Sequence, residues 1–365
     1  MLNQNLKMSI FCSLLLLLIS CGGSDEKETQ SLALSSDNLV PETIADNDTP
    51  IVKAQPSYPV LLDENIIYAQ GLSHNNSSNT AFAVPLKLDI YYPDNNATNR
   101  PALMFIHGGG FTGGVKHKPE IVEMANFYAS RGWVFISIDY RTTEELGSIA
   151  GKTQDQIMTF YQGIAPQKWL EFTLQGAETP KQLQQSIAMY AAQRDAKAAL
   201  RWINANSAMY YINTNFITVG GASAGAITTI ALGISDQEDF RDEISLIEDP
   251  TLATTNLAQT FSVKSMIYFW GSNAKLELFE SVYGLNRYDG NDPELFMAHG
   301  TAYDPVTPFS EAIELQEIYE IINVYNQLVP LEGQGHGAWD AQINGKGLSQ
   351  MSFDFIVERQ YLQLE

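Results

Sequence analysis

Short apolar runs bounded by glycine or proline set the first limit on what this chain can fold into. They fall at Ala102–Ile106, Trp133–Ile138, Phe216–Val219, Val263–Trp270 and Leu295–Ala298. Runs of this length, apolar on both faces, are what strands inside a parallel sheet require. Stretches of helical period lie between and after them, at Glu120–Ser130, Gln182–Asn206, Ser310–Ile321 and Leu348–Leu362. Within Gln182–Asn206, the residues Ile187, Ala191, Ala198 and Trp202 share one helix face. Such alternation implies the α/β class, with a mostly parallel central sheet and helices on both faces. Leu86–Tyr92 alternates instead, which predicts an earlier antiparallel strand. Thr142–Pro180 and Gln237–Thr260 fit neither period. Structureless loops of that length are uncommon in a compact domain, so both read as cap-like insertions above the strand ends. The first is rich in aromatics and is either a lid over a binding pocket (142–180) or a surface helix pair.

The N-terminus carries a different signal. Lys7 precedes the apolar run Met8–Ile19, which is shorter than the roughly 20 residues a membrane-crossing helix needs. It fits a cleaved export signal over residues 1–20. Leu18-Ile19-Ser20-Cys21 resembles the lipobox of bacterial lipoproteins, and that resemblance implies a signal peptide removed before a lipidated Cys21. With Gly22 rather than an aspartate next in line, the same resemblance implies the cell envelope, at the outer membrane, with the membrane as partner through the lipid anchor. Residues 21–57 are small, polar and aperiodic and read as a flexible tether, leaving 58–365 as the folded domain.

Charge and cysteine count remove whole classes of function. With 42 acidic against 21 basic residues the net charge is −21, the opposite of what a nucleic-acid partner needs. Both cysteines, Cys12 and Cys21, precede the folded body. A disulfide framework, a thiolate metal site and a cysteine nucleophile are therefore excluded from it.

Two motifs carry chemistry. Gly220-Gly221-Ala222-Ser223-Ala224-Gly225 follows an apolar strand and precedes the helix-compatible Ala226–Leu232. That is the context of the G-x-S-x-G elbow, where small residues permit a sharp turn and leave the serine hydroxyl exposed at a helix N-terminus. His107-Gly108-Gly109-Gly110-Phe111 follows strand Ala102–Ile106, and its glycines let backbone N–H groups approach a ligand. A phosphate loop is a poorer reading, since neither glycine-rich phosphate pattern is present.

A general base titrating near neutrality completes such a site, and histidine is the usual choice. Of His74, His107, His117, His299 and His336, only the last lies in a late glycine-lined loop, Gly333-Gln334-Gly335-His336-Gly337. His74 lies before the expected sheet, His117 in a lysine-rich loop, and His107 and His299 at strand ends as hydrogen-bonding residues.

Together these segments resemble the α/β-hydrolase superfamily, and most closely its serine esterases with an HGGG loop, the hormone-sensitive-lipase-like and bacterial carboxylesterase branches. The resemblance covers roughly residues 85–360. It implies an α/β-hydrolase fold with nucleophile Ser223, acid Asp304 from His299-Gly300-Thr301-Ala302-Tyr303-Asp304-Pro305-Val306-Thr307-Pro308, and base His336 in that chain order. It further implies an oxyanion hole of the N–H groups of Gly109, Gly110 and Ala224, and a reaction needing no metal and no organic cofactor. Gly-Ala-Ser-Ala-Gly stands where the hormone-sensitive-lipase-like branch usually has GDSAG, which leaves the branch open. The expected activity is carboxylic ester hydrolysis, on small-molecule or polymer-linked esters with short neutral acyl groups. A non-catalytic binding module on the same fold and a serine peptidase or amidase remain alternatives. Oligomeric state is not legible.

Overall fold

Eight strands form the central sheet of the computed structural model, which describes residues 48–74, 80–272 and 277–365. In chain order they are β1 (Val60–Ser73), β2 (Phe82–Pro93), β3 (Arg100–Ile106), β4 (Val134–Ile138), β5 (Ile212–Ala222), β6 (Ser265–Phe269), β7 (Glu294–Gly300) and β8 (Asn326–Leu331). Their spatial order is β1-β2-β4-β3-β5-β6-β7-β8. The β1–β2 and β2–β4 pairs are antiparallel and every later pair is parallel. The signal segment, Cys21 and the tether up to residue 47 lie outside the described residues. Among those described, no helix is long and apolar enough to cross a membrane.

The sheet separates two cores. Successive residues of a strand face opposite sides, so on β3 Ala102, Met104 and Ile106 join one cluster while Leu103 and Phe105 join the other. Helices α1 (Pro119–Ala129) and α6 (Leu348–Arg359) cover the Leu103 side, through Met124, Tyr128, Phe353 and Ile356. The other side is covered by α3 (Pro180–Ala205), α4 (Ala224–Ile234) and α5 (Phe309–Ile321). This is the expected mostly parallel sheet between two helical layers. Every β3 and β4 side chain is buried, which is why those two runs were legible as apolar strings.

Several boundaries differ from the sequence reading. β1 was not anticipated. Its first half is largely exposed, apolar Leu61 and Leu62 included, with Asn65 at φ 57° and register shifts around it, so no alternation survives. His74 therefore follows a long strand rather than preceding the sheet, and it is buried, stacked 3.8 Å from the Phe160 ring. β8, also unanticipated, is a half-exposed edge strand containing Pro330, the position where proline is tolerated in a sheet. The folded domain begins before residue 58. Ile51–Val52 pairs with Gln363–Leu364, and the amides of Lys53 and Ala54 donate to the carbonyls of Arg131 and Glu365 at 2.9 and 2.8 Å. The backbone of 51–57 is thus anchored to the C-terminus and to the turn after α1, which a flexible tether is not.

The two insertions part ways. Residues 142–180 hold three helices, Thr143–Leu146, Gln154–Phe160 and α2 (Gln167–Gly176). Thr142 and Thr153 begin the first two, each with a reciprocal capping box. α2 continues towards α3, whose start is capped by Thr179 and Pro180. The acidic stretch 237–260 is pinned instead against α3. Asp249 pairs with Arg194 at 3.2 Å, Lys197 Nζ donates to the carbonyls of Asp236 and Asp239, and Arg201 Nε donates to Thr255 O at 2.8 Å. It also meets β1, through Gln70 N to Thr254 Oγ1, and Arg287, which pairs with Asp239 at 2.8 Å, and it lines no part of the cavity described below. The expectation that it overhangs a binding site is corrected: Asp249 pairs with one buried cation of α3, and backbone carbonyls of the stretch accept from two more.

Candidate active site

β5 ends at Ala222 and α4 begins at Ala224, so Ser223 alone makes the turn. Its φ of 56° and ψ of −121° are forced on a non-glycine residue, a strain of about 1–3 kcal/mol that the surroundings must hold. The holding contacts are specific. Ser223 N donates to Phe269 O on β6 at 2.8 Å. Gly225 passes so close to β3 that a Cβ there would lie 2.0 Å from Ile106 O, and a Cβ on Gly221 would lie 2.3 Å from Gly225. Only glycine lets strand, turn and helix close up this tightly.

His336 and Asp304 arrive from later loops. Asp304 follows β7, and His336 follows β8, where Trp339 seats the loop against Trp270 with ring centroids 5.1 Å apart. His336 Nε2 lies 2.9 Å from Ser223 Oγ, and Nδ1 lies 2.8 Å from Asp304 Oδ2. An acceptor carboxylate on Nδ1 assigns the proton to that nitrogen and leaves Nε2 to accept from the serine hydroxyl. Burial opposes the charge on Asp304. The N–H groups of Val306 and Thr307, the Thr307 hydroxyl and His336 outweigh it and hold the carboxyl below its ordinary range.

Thr307 is a site residue that the sequence reading passed over. Its Oγ1 donates to Asp304 Oδ2 at 2.8 Å and sits 2.9 Å from His336 Nδ1. The three-residue step from Asp304 to Thr307, in which Asp304 Oδ1 also accepts the Val306 N–H at 2.8 Å, is an Asx-type turn. That spacing was the available signal.

The glycine loop lies beside the serine. A Cβ on Gly108 would come within 3.0 Å of Ser223 Cβ. Gly109 and Gly110 take φ of 145° and 60°. Among the described residues, the N–H groups of Gly109, Gly110 and Ala224 donate no loop or turn hydrogen bond, so all three remain free to receive a ligand. Gln185 of α3 fixes the loop from the far side, donating from Nε2 to Gly110 O at 2.8 Å. His107 is packed beneath the loop, stacked 4.4 Å from Tyr140, with Nδ1 3.0 Å from Gly108 O. Burial drives its pKa down to about 4, so it is a neutral structural residue at pH 7. His299 is buried between Gly300 O and Gly271 O, and exposed His117 borders a different cavity.

A cavity of about 600 Å³ opens over Ser223. Its lining includes the apolar Phe111, Phe172, Met189 and Ile227 and the polar Gln182 and Gln185. Phe172 and Thr173 come from α2, so part of the 142–180 insertion lines the cavity.

The strand order, the elbow after β5, an acid after β7 and a histidine after β8 decide the architecture. This is the α/β-hydrolase fold. Comparison with known proteins agrees. A family model described as BD-FAE matches residues 88–156 and 181–275. The matched segments hold the glycine loop and Ser223, and the gap between them falls within the aromatic insertion. Solved α/β-hydrolase structures superpose over most of the chain. The truncated form of a carbohydrate esterase from gut microbiota has 18% identity and a TM-score of 0.52, covering 85% of this chain and 99% of its own. Propionate-bound esterase Est2 of the planctomycete Thermogutta terrifontis has 20% identity and a TM-score of 0.53, covering 84% and 96%. The same esterase phosphorylated by paraoxon has 19% identity and a TM-score of 0.52, covering 81% and 96%.

Proposed function

We propose that the protein is a serine carboxylic ester hydrolase. The observation that carries this reading is the continuous relay from Ser223 Oγ through the His336 ring to Asp304 Oδ2, with bonds of 2.9 and 2.8 Å, beside free backbone N–H groups. In the proposed cycle, Ser223 attacks an ester carbonyl while His336 Nε2 takes its proton. Asp304 holds the tautomer and stabilises the imidazolium. The N–H groups of Gly109, Gly110 and Ala224 receive the developing oxyanion, where one such donor is typically worth about 3–4 kcal/mol. His336 then protonates the leaving alcohol, and water, deprotonated by the same nitrogen, releases the acid from the acyl-enzyme. All proton transfers are served by Ser223 and His336 themselves.

The proposed substrates are short neutral acyl esters. The apolar lining residues Phe172, Met189 and Ile227 offer surface for an acyl chain. Gln182 and Gln185 in the lining suit a polar alcohol, whether free or part of a polymer. A net charge of −21 disfavours anionic substrates. Cys21 is proposed as the lipidated first residue of the mature chain, which would hold the enzyme at the outer membrane of a bacterial envelope.

The test is hydrolysis of p-nitrophenyl esters of graded chain length by wild type and Ser223→Ala. Turnover of acetate or butyrate esters that the variant lacks supports the reading. Equal turnover by both proteins would sink it.

A further inference from the structure

A peptide unit is planar and trans, so its C=O and N–H point in opposite directions. Holding the carbonyl therefore aims the N–H. Each of the three N–H groups beside Ser223 belongs to a peptide whose carbonyl is held. Ser223 O, paired with the Ala224 N–H, accepts the amides of Ala226 and Ile227 at 2.9 and 3.1 Å. Gly109 O, paired with the Gly110 N–H, accepts Thr112 N at 3.0 Å and Thr112 Oγ1 at 2.9 Å. Gly108 O, paired with the Gly109 N–H, accepts Lys118 Nζ at 3.1 Å and has His107 Nδ1 at 3.0 Å.

The first two carbonyls are fixed by backbone, but the third is fixed by side chains alone. A cation on a carbonyl also does more strongly what a neutral donor does weakly. It withdraws electron density along the peptide and makes the opposite N–H a stronger donor. The ammonium lies close enough to His107 that its charge adds to the lowering of that imidazole's pKa. Gly109 needs such a hold, because its φ of 145° gives it no intrinsic preference for this orientation over others.

We infer that Lys118 is a positioning residue for the oxyanion hole, acting through the Gly108–Gly109 peptide to orient and polarise the Gly109 N–H. The inference rests on the ester-hydrolase reading and deepens it. Lys118 precedes α1 as its N-cap residue, yet its side chain makes no capping hydrogen bond. Replacing the side chain therefore leaves the helix start intact. Lys118 is also absent from the residues lining the cavity.

The test compares wild type, Lys118→Met and Lys118→Arg in p-nitrophenyl acetate hydrolysis, in the rate of labelling by a fluorophosphonate and in thermal melting. Both reactions place charge on an oxygen in the hole. Lys118→Met is expected to lower kcat and the labelling rate about tenfold, less than the loss of a whole donor, with KM changed by no more than about twofold and Tm by only a few degrees. Lys118→Arg is expected to recover most of the loss, since it keeps the cation. Unchanged rates in Lys118→Met would overturn the inference. So would a fall in rate that tracks a raised KM and a lowered Tm and that arginine does not rescue. If wild type itself fails to react with the fluorophosphonate, the hydrolase reading falls and this inference with it. A reactive wild type with an equally reactive Lys118→Met removes only the inference.

Discussion

Ser223 Oγ and His336 Nε2 lie 2.9 Å apart although 113 residues separate them along the chain. The serine is fixed by the β5–α4 turn and the histidine by a loop three strands further along the sheet. Neither position is local to the other, so their meeting depends on the register of β5 through β8. The functional consequences of that meeting can be tested piece by piece.

Removing the nucleophile should separate activity from stability. Ser223→Gly is expected to abolish ester hydrolysis, by at least about 10⁴-fold. The same change relieves a non-glycine residue at φ 56°, and should raise stability by about 1 kcal/mol. Urea unfolding read alongside an ester assay checks both halves; a less stable Ser223→Gly would show that the turn is not strained.

Asp304→Asn should keep the fold and lose about 10²–10⁴-fold in kcat, because an amide no longer selects the Nδ1–H tautomer of His336. A stability signature accompanies it. The folded carboxyl is held below its ordinary value, so its contribution is full above the unfolded carboxyl pKa of about 3.9 and lost as pH falls through the lower folded value. The stability gap between wild type and Asp304→Asn should therefore narrow below about pH 4, as followed by chemical denaturation at pH 7, 4 and 3.

His107 predicts a pH dependence higher up the scale. Its pKa is lowered by burial to about 4, against about 6.5 in the unfolded chain. The unfolded state then binds the extra proton first, so stability should fall as pH drops from about 6.5 towards 4. Denaturation midpoints at pH 7 and 5 should differ less in His107→Gln than in wild type. Equal pH sensitivity would place the effect elsewhere.

Glycine substitutions should divide by the space around them. Gly225→Ala drives a methyl to 2.0 Å from Ile106 O, and Gly109→Ala puts one 1.9 Å from Gly113 O in a backbone region with φ 145°. Both should lose soluble, active enzyme. Gly347→Ala meets nothing within 4 Å and should stay within about 0.5 kcal/mol of wild type. Expression yield and melting temperature report the contrast.

Shortening the apolar lining should change chain-length preference. Met189→Ala removes bulk from the cavity and is expected to raise the hexanoate-to-acetate ratio of kcat/KM by about 10-fold, the scale of one or two methylenes in a pocket. An unchanged ratio would place the acyl group against other lining residues.

The sequence by itself determined the α/β class, the buried parallel strands and the elbow, because each is written in a local pattern. β3 and β4 are buried on both faces and so appear as unbroken apolar strings. The elbow's glycine at 221 is needed for contact with Gly225 a few residues on, while Gly225 is needed because β3 passes beside it. Tertiary structure decided the rest. β1 and β8 are half-exposed and carry no clear period, and their burial depends on neighbours far along the chain. The acidic 237–260 stretch looked like a site insertion until Arg194, Lys197 and Arg201, spaced along the buried face of α3, proved to be its partners. Thr307 reaches His336, and Lys118 reaches the Gly108 carbonyl, only because folding brings those groups within about 3 Å. A hydrogen bond is a distance-limited contact, so a single polar residue acquires its chemistry when the fold supplies the group it faces.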